Sequence, residues 1–179
     1  GEDTTVLRKI SGQVWKDENN DGIKDENETK VEGVEVMLFN NQTGNLVTKD
    51  GNILKVLTDK EGKYTFQDIA KGKYTIIFLY DVANFSSTTY RKAGVDDSKN
   101  SDAIDSKITL NGEERIAGIT EEINVTDSNI YNIDLGLVLN PKFDLKLDKT
   151  VTKITIQDGK NTDVYEYKDV KLAKKDLIG

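Results

Sequence analysis

Apolar and polar residues alternate with a period of two along much of the chain, which is the pattern of a β-strand with one buried face. The clearest run is IYNIDLGLVL at 130–139. One face of that run would carry apolar side chains and the other short polar ones. The apolar set is Tyr131, Ile133, Leu135, Leu137 and Leu139, and the polar set is Asn132, Asp134 and Gly136. The pattern predicts a half-buried strand over 130–139.

Further strands are predicted where Val, Ile, Tyr and Phe are enriched. They are 9–15, 33–40, 73–80 and 121–126. Turn sequences rich in Gly, Asp and Asn separate most of these strands. They lie at 42–45, 49–52, 59–63 and 70–73. No segment shows the 3.6-residue apolar period of an amphipathic helix, so the sequence predicts an all-β sandwich.

The single proline, Pro141, marks a predicted domain boundary. The residue before a proline favours an extended backbone, and a new alternation, FDLKLDK, starts just after it. A hairpin is predicted further on, around 158–159. We therefore predict a β-sandwich over 1–140 and the first strands of a second, truncated β domain over 141–179, which is too short to bury a core alone.

Composition limits the classes of function. The 179 residues are 36% hydrophobic and 32% charged, with a net charge of −7. Nucleic acids and anionic membranes bind clustered basic residues, so neither is expected as a partner. The chain has no cysteine and no histidine, which excludes the usual zinc sites, Ser-His-Asp triads and histidine bases, so we do not expect an enzyme. Any metal would have oxygen ligands, which indicates a hard cation such as calcium.

The stretch DENNDGIKDENE at 17–28 matches the twelve-residue calcium loop D-x-[DN]-x-[DN]-G-x5-E. Short carboxylates at alternate places turn inward, Gly22 permits the sharp turn, and the longer Glu28 reaches back with two oxygens. The predicted ligands are Asp17, Asn19, Asp21, the Ile23 carbonyl, Asp25 and Glu28. A solvated acidic turn is the alternative, because Asn, Asp and Gly favour turns by themselves. The number of matched places favours calcium.

This acidic loop (17–28) joins the strand that ends at Trp15 to the strand at 33–40, and we expect the metal to fix those two strands together. A second acidic segment (94–106), GVDDSKNSDAIDS, follows a long polar stretch without strand character. Long loops inside compact domains are usually functional. Its candidate calcium ligands are Asp96, Asp97, Asn100, Asp102 and Asp105. Spacing alone does not separate a second metal site from a flexible acidic loop.

Four blocks occur in order: ISGQVWKDENNDGIKDENETKVEGVEVML, TDKEGKYTFQDIAKGKYTI, DDSKNSDA and YNIDLGL. Over about residues 9–138 the chain resembles the SdrD B-type domain, a calcium-binding relative of the Cna B-type domain of Gram-positive surface adhesins. The resemblance implies a prealbumin-like, Ig-like β-sandwich that is repeated in tandem as a stalk and binds several calcium ions. The acidic loop matches the family's first site, and the segment 96–102 matches the region of its other sites, with Asn100 where the family often has Asp.

The tail after Pro141 is similar to the opening of a domain common in clostridial-type surface proteins. Such domains can form Lys–Asn isopeptide cross-links, and the resemblance implies Lys146 or Lys149 as the lysine. The alternative is that both are surface lysines on an edge strand.

We expect a calcium-stabilised stalk domain of an extracellular, cell-wall-anchored or secreted adhesin, which projects a ligand-binding region. Its expected partners are calcium ions, neighbouring stalk domains of the same chain and an unidentified host ligand. The alternative is an adhesive module that itself binds a host matrix protein or glycan. An exposed aromatic platform would distinguish that alternative, and its candidates are Tyr80, Phe85 and Tyr90.

Overall fold

A computed structural model describes residues 6–141. This part of the chain consists of β-strands and one short 3-10 helix, Asp97–Lys99. The strands are β1 Arg8–Lys16, β2 Glu35–Asn40, β3 Asn45–Leu46, β4 Thr48–Lys49, β5 Asn52–Ile53, β6 Lys55–Leu57, β7 Lys63–Ile69, β8 Gly72–Leu79, β9 Phe85–Ser87, β10 Ala103–Leu110, β11 Glu113–Thr120, β12 Ile123–Val125 and β13 Leu135–Leu139. The predicted all-β class is confirmed.

Two sheets contain most of the strands. The first has the order β7-β1-β13-β9, and the second has the order β10-β11-β8-β2-β3, with β12 also paired to β8 and β6 to β2. The strands β4 and β5 form a small separate hairpin. The pairing of β1 with β13 is parallel, with Val14 opposite Leu135, whereas β1 and β7 are antiparallel.

The apolar core lies between the two sheets. Phe66 and Leu135 from the first sheet are fully buried with Leu38 and Phe78 from the second. The Tyr64 ring meets the Phe78 ring edge-on, with centroids 5.6 Å apart, a favoured aromatic geometry. The fold is therefore the predicted Ig-like β-sandwich.

The prediction of a half-buried strand over 130–139 is wrong in two respects. The strand begins only at Leu135, and the predicted apolar face is not continuous, because Tyr131 is 61% and Leu139 is 63% exposed. On the predicted polar face, Asp134 is only 1% exposed and Gly136 is buried. The reason is that the face predicted to be polar is covered too: the Trp15 ring and Thr88 lie against Gly136, and hydrogen-bonding partners surround Asp134.

The acidic loop does not join neighbouring strands. It runs from β1 in the first sheet to β2 in the second and so bridges the sandwich; that a metal fixes these two strands together stays a prediction. The polar stretch before the second acidic segment contains the short strand β9, paired with β13. The segment itself ends inside β10, which begins at Ala103. Pairing with strands distant in sequence outweighs weak local propensity here.

The chain divides into two compact units. Among the described residues, one contains 6–105 and 117–139, and the other contains 106–116 and 140–141. The acidic loop and residues 94–105 lie in the first unit. The predicted second domain, with its hairpin around 158–159 and with Lys146 and Lys149, lies outside the described residues apart from Pro141. Within 6–141, no helix is long and apolar enough to span a membrane.

Candidate metal centre

The acidic loop starts from the core of the first sheet. The Asp17 N–H donates to the Leu137 carbonyl of β13 at 2.8 Å, and the Asp17 carbonyl accepts from the Asn20 N–H at 3.1 Å. The loop then turns through two left-handed residues, Asn20 at φ +56° and Gly22 at φ +75°. Asn and Gly are the residues that adopt this conformation at least cost. This turn brings the later carboxylates of the loop back towards Asp17.

Asp17 is the buried centre of the loop, with 3% exposure. Its Oδ1 accepts from the Asp21 N–H at 3.1 Å, and its Oδ2 accepts from the Gly22 N–H at 2.8 Å. The Thr88 hydroxyl also donates to Oδ2, at 2.6 Å. These three donors hold the carboxylate in one orientation.

Glu28 closes the other end of the loop. Its Oε1 accepts from the Asp25 N–H and its Oε2 accepts from the Glu18 N–H, both at 2.9 Å. Glu28 is also buried. The long side chain therefore reaches back across the loop, as the sequence pattern predicts.

Three carboxylates converge in this loop. One oxygen from each of Asp17, Asp21 and Glu28 lies within 4.8 Å of the other two. No ion pair between described residues involves any of the three. Like charges this close repel strongly when they are partly buried. An all-oxygen donor set with this charge fits a hard divalent cation such as Ca²⁺.

The other predicted ligands of the acidic loop lie around this group but outside it. The Asn19 side-chain amide donates to Asp25 Oδ2 at 3.3 Å. The Ile23 N–H donates to Asp21 Oδ1 at 2.9 Å, which fixes the Asp21 carboxylate. Asn19, Ile23 and Asp25 as ligands stay predictions.

The candidates of the second acidic segment occupy different positions. Asp96 caps the short 3-10 helix, accepting from the Ser98 N–H, and both Asp96 and Asp97 are exposed. Asn100 is only 4% exposed, and its Oδ1 has no hydrogen-bond partner. A buried acceptor without a donor is costly, so this oxygen suits a cation. Within 6–141, only the acidic loop brings three carboxylates close enough together to hold a metal ion.

Asp102 and Asp134 form a buried pair that the sequence analysis missed. Asp102 Oδ2 accepts from the Asp134 N–H at 2.9 Å, and the Asp102 N–H donates to the Asp134 carbonyl at 2.7 Å. Asp102 Oδ1 accepts from Arg91 Nε at 3.2 Å. Asp134 Oδ1 accepts from the Gln13 N–H at 2.8 Å, and its Oδ2 accepts from Lys24 Nζ at 3.1 Å. The sequence offered one signal for the burial of Asp134, which is its place between Ile133 and Leu135 in a run that predicts a strand.

Burial dominates the electrostatics of this pair. It raises the pKa of Asp134 to about 6, against the opposing attraction of the Lys24 ammonium. Burial also raises the pKa of Asp102, although the Asp134 N–H and Arg91 counteract it. Desolvation costs a charged carboxylate more than one or two partners return.

Asp105 is held by polar groups near β8 and β9. The Tyr80 hydroxyl donates to its Oδ1, and the Ser87 N–H donates to its Oδ2 at 2.9 Å. Burial and the Asp105 charge raise the pKa of Tyr80 well above its ordinary value. Tyr80 is therefore buried and bonded, not an exposed platform residue. Phe85 is partly covered by Lys16, whose Nζ lies 5.2 Å from the ring centroid.

The sequence of this chain is similar to a known domain family and to staphylococcal proteins. The sequence model of the family described as "SdrD B-like domain" matches residues 8–133. Serine-aspartate repeat-containing protein F of Staphylococcus epidermidis is 32% identical over 132 residues, which is 74% of this chain and 7% of the relative. Serine-aspartate repeat-containing protein D of Staphylococcus aureus (strain Newman) is 32% identical over 152 residues, 84% of this chain and 10% of the relative. The chain thus spans a tenth or less of these relatives.

Two solved structures are each similar to this chain over 76% of its length. BcpA*(D312A), the major pilin subunit of Bacillus cereus, is 19% identical, with a TM-score of 0.39 over 76% of this chain and 30% of the pilin. A putative carbohydrate binding protein (PA1324) of Pseudomonas aeruginosa is 12% identical, with a TM-score of 0.34 over 76% of this chain and 90% of that chain.

Proposed function

The chain belongs to the SdrD B-like domain family, and from this premise we propose that it is a calcium-stabilised structural domain in the stalk of a Gram-positive cell-surface adhesin. Its role is to hold a ligand-binding region of the parent protein away from the cell wall. Calcium, bound first in the acidic loop, keeps the domain stiff. The domain is extracellular in this proposal, and its neighbours are other stalk domains of the same chain.

One observation carries the proposal: the carboxylates of Asp17, Asp21 and Glu28 converge within 4.8 Å, and no ion pair between described residues involves any of them. The nearby Lys92 and Lys30 ammonium groups donate to the backbone carbonyls of Asp21 and Glu28 instead. A divalent ion would supply the missing positive charge. Because the loop bridges the two sheets, a bound ion would stabilise both. Extracellular calcium modules bind with Kd of roughly 10⁻⁴–10⁻³ M, which suits a domain outside the cell.

Additional ions would bind near the second acidic segment. The buried, unpartnered Oδ1 of Asn100 supports this part of the proposal. The carboxylates of Asp102 and Asp105 already accept hydrogen bonds from side chains or backbone. A cation there would use Asn100 together with exposed Asp96 or Asp97, or would displace existing partners of the other two.

The experiment is thermal unfolding of this fragment in calcium and in chelator, with native mass spectrometry to count bound ions. Ligand that binds only the folded state stabilises it by RT ln(1 + [Ca]/Kd), so the melting temperature should rise with calcium concentration. Proteolysis within 17–28 and 94–106 should increase in chelator. A melting curve that is the same in calcium and in chelator would overturn the proposal.

Asp21→Asn is the variant that tests the proposed calcium site. It removes one charge but keeps an oxygen that accepts from the Ile23 N–H. It should reduce the calcium-induced rise in melting temperature. Asp50→Asn, at an exposed turn far from the loop in sequence, is the control and should behave like the parent protein.

The adhesive alternative has less support, because Tyr80, one of the three aromatic candidates, is buried against Asp105. That the domain is not an enzyme stays a prediction. Absence of turnover on polysaccharides is the assay for it.

A further inference from the structure

Lys24 lies inside the acidic loop, yet its side chain points away from the three converging carboxylates. Its side chain is only 16% exposed, and its ammonium donates to Asp134 Oδ2 at 3.1 Å and to Gln13 Oε1 at 3.0 Å. Lysine in a surface loop normally keeps its ammonium in water, because desolvating the charge is costly. Lys24 is thus partly buried, and its contacts with Asp134 and Gln13 offset the cost of desolvating its ammonium.

The backbone of Lys24 makes a second long-range contact. Its N–H donates to the Lys99 carbonyl at 2.8 Å. Lys99 ends the short 3-10 helix of the second acidic segment. Lys24 thus contacts the second acidic segment through its backbone and Asp134 through its side chain.

Asp134 continues the connection. Its N–H donates to Asp102 Oδ2 at 2.9 Å, and its carbonyl accepts from the Asp102 N–H at 2.7 Å. Asp102 in turn accepts from Arg91 Nε at 3.2 Å. A cation thus lies at each end of this path, Lys24 on Asp134 and Arg91 on Asp102, and the two aspartates are joined through backbone N–H groups. Asp102 and Asp134 are almost completely buried, so the loss of one member leaves a charge without its partner.

We propose that Lys24 is a positioning residue that couples the acidic loop to the second acidic segment through Asp134 and Asp102. Folding of the acidic loop places the Lys24 ammonium beside Asp134, and the Asp134 backbone then fixes Asp102. The two segments therefore order together. Only one part of this inference rests on the proposed function, namely that calcium bound in the acidic loop also protects the second acidic segment from hydrogen exchange.

The test is amide hydrogen exchange on Lys24→Met, which keeps the length of the side chain and removes its charge. In chelator, the Asp102 amide and its neighbours at 99–102 should exchange at least about a hundredfold faster than in the parent protein, because a buried ion pair is broken. Amides of β8 should keep their protection, which separates local release from general destabilisation. Lys63→Met, at an exposed ion pair with Glu61, is the matched control and should leave exchange unchanged.

A double-mutant cycle makes the coupling quantitative. Lys24→Met combined with Asp134→Asn should accelerate exchange at Asp102 by much less than the product of the single effects, because the second change removes the charge that the first left unpaired. In the calcium arm, adding calcium should slow exchange at 99–102 in the parent protein but much less in Lys24→Met.

The outcomes separate the two proposals. Unchanged exchange at 99–102 in Lys24→Met, or effects that simply multiply in the cycle, would overturn the coupling whether or not calcium binds. Failure to bind calcium would overturn the proposed function, while the chelator experiment would still decide the role of Lys24.

Discussion

The Thr88 hydroxyl donates a hydrogen bond of 2.6 Å to Oδ2 of Asp17, 71 residues away in the sequence. Both side chains are buried. Thr88 follows β9, whose residues pair with β13, so this bond ties the first carboxylate of the acidic loop to the edge of the first sheet. The geometry of the loop thus depends on a residue outside it.

Thr88→Val should destabilise the calcium-free protein by about 1–2 kcal/mol, because Asp17 loses a donor to a buried charged group. It should also weaken calcium binding, since the carboxylate is less firmly oriented. Denaturant unfolding and a calcium titration followed by Trp15 fluorescence measure these effects. Thr65→Val, on the exposed face of β7, is the control. Equal stability of the two variants would contradict the role of the hydrogen bond.

Gly22→Ala should weaken the acidic loop for two reasons. Gly22 has φ +75°, and an added Cβ would lie 3.1 Å from Cβ of Thr89. A left-handed conformation costs a non-glycine residue about 1–2 kcal/mol. Gly44→Ala is the matched control, because Gly44 has φ +77° and no atom within 4 Å of such a Cβ. Unfolding measurements should show a larger loss for Gly22→Ala, and only that variant should lose calcium affinity. Identical losses would show that the contact with Thr89 is unimportant.

Gly136→Ala should disturb the environment of the single tryptophan. The new methyl group would lie 2.5 Å from Cζ2 of Trp15 and 2.7 Å from Cγ2 of Thr88. Overpacking of this kind costs about 1–3 kcal/mol, and the Trp15 emission maximum should shift. At Gly118, in β11, the nearest atom to an added Cβ is 3.5 Å away, so Gly118→Ala should be tolerated. A well-folded Gly136→Ala protein with parental fluorescence would contradict the packing described.

The pKa of Asp134 predicts a pH dependence of stability. Its value is about 6 in the folded chain and 3.8 ordinarily, because burial disfavours the charge. Between about pH 4 and pH 6 the folded protein therefore retains a proton that the unfolded chain has released. The free energy of unfolding falls as pH rises through this window, by about 3 kcal/mol from this group.

Unfolding of calcium-free protein at several pH values tests this, with Asp134→Asn as the variant. The stability of the parent protein relative to Asp134→Asn should decrease from pH 4 to pH 6, because the variant lacks the titrating group. Asp50→Asn should follow the parent protein. Parallel pH profiles for the parent protein and Asp134→Asn would show that burial does not raise the pKa of Asp134.

Local patterns predicted the features that depend on neighbouring residues. Predicted strands at 9–15, 33–40 and 73–80 agree closely with β1, β2 and β8, because β-branched and aromatic residues favour strands. The turn of the acidic loop was also predictable, since Gly22 and the reach of Glu28 act within a few residues. The convergence of Asp17, Asp21 and Glu28 follows from their spacing once that turn forms.

Other features depend on contacts between residues far apart in the chain. The sequence pattern placed Asp134 on a solvent face, but Gln13, Lys24 and Asp102, all distant in sequence, surround it, and it is buried. The strand β10 was missed because its start lies in an acidic stretch with weak strand propensity. Asp102 and Asp105 lie in the predicted segment, but Arg91, Asp134, Tyr80 and Ser87 determine what their carboxylates contact.

The sequence by itself determined the all-β class, the position of the main strands and the acidic loop with its ordered carboxylates. These depend on side-chain alternation and on turn residues, which act over a few positions. Only the tertiary structure decided which sheet each strand joins, that the acidic loop bridges the two sheets, and that Lys24 reaches Asp134. Such contacts depend on how the strands pair across the sandwich, and alternation within one strand carries no information about its partner in space.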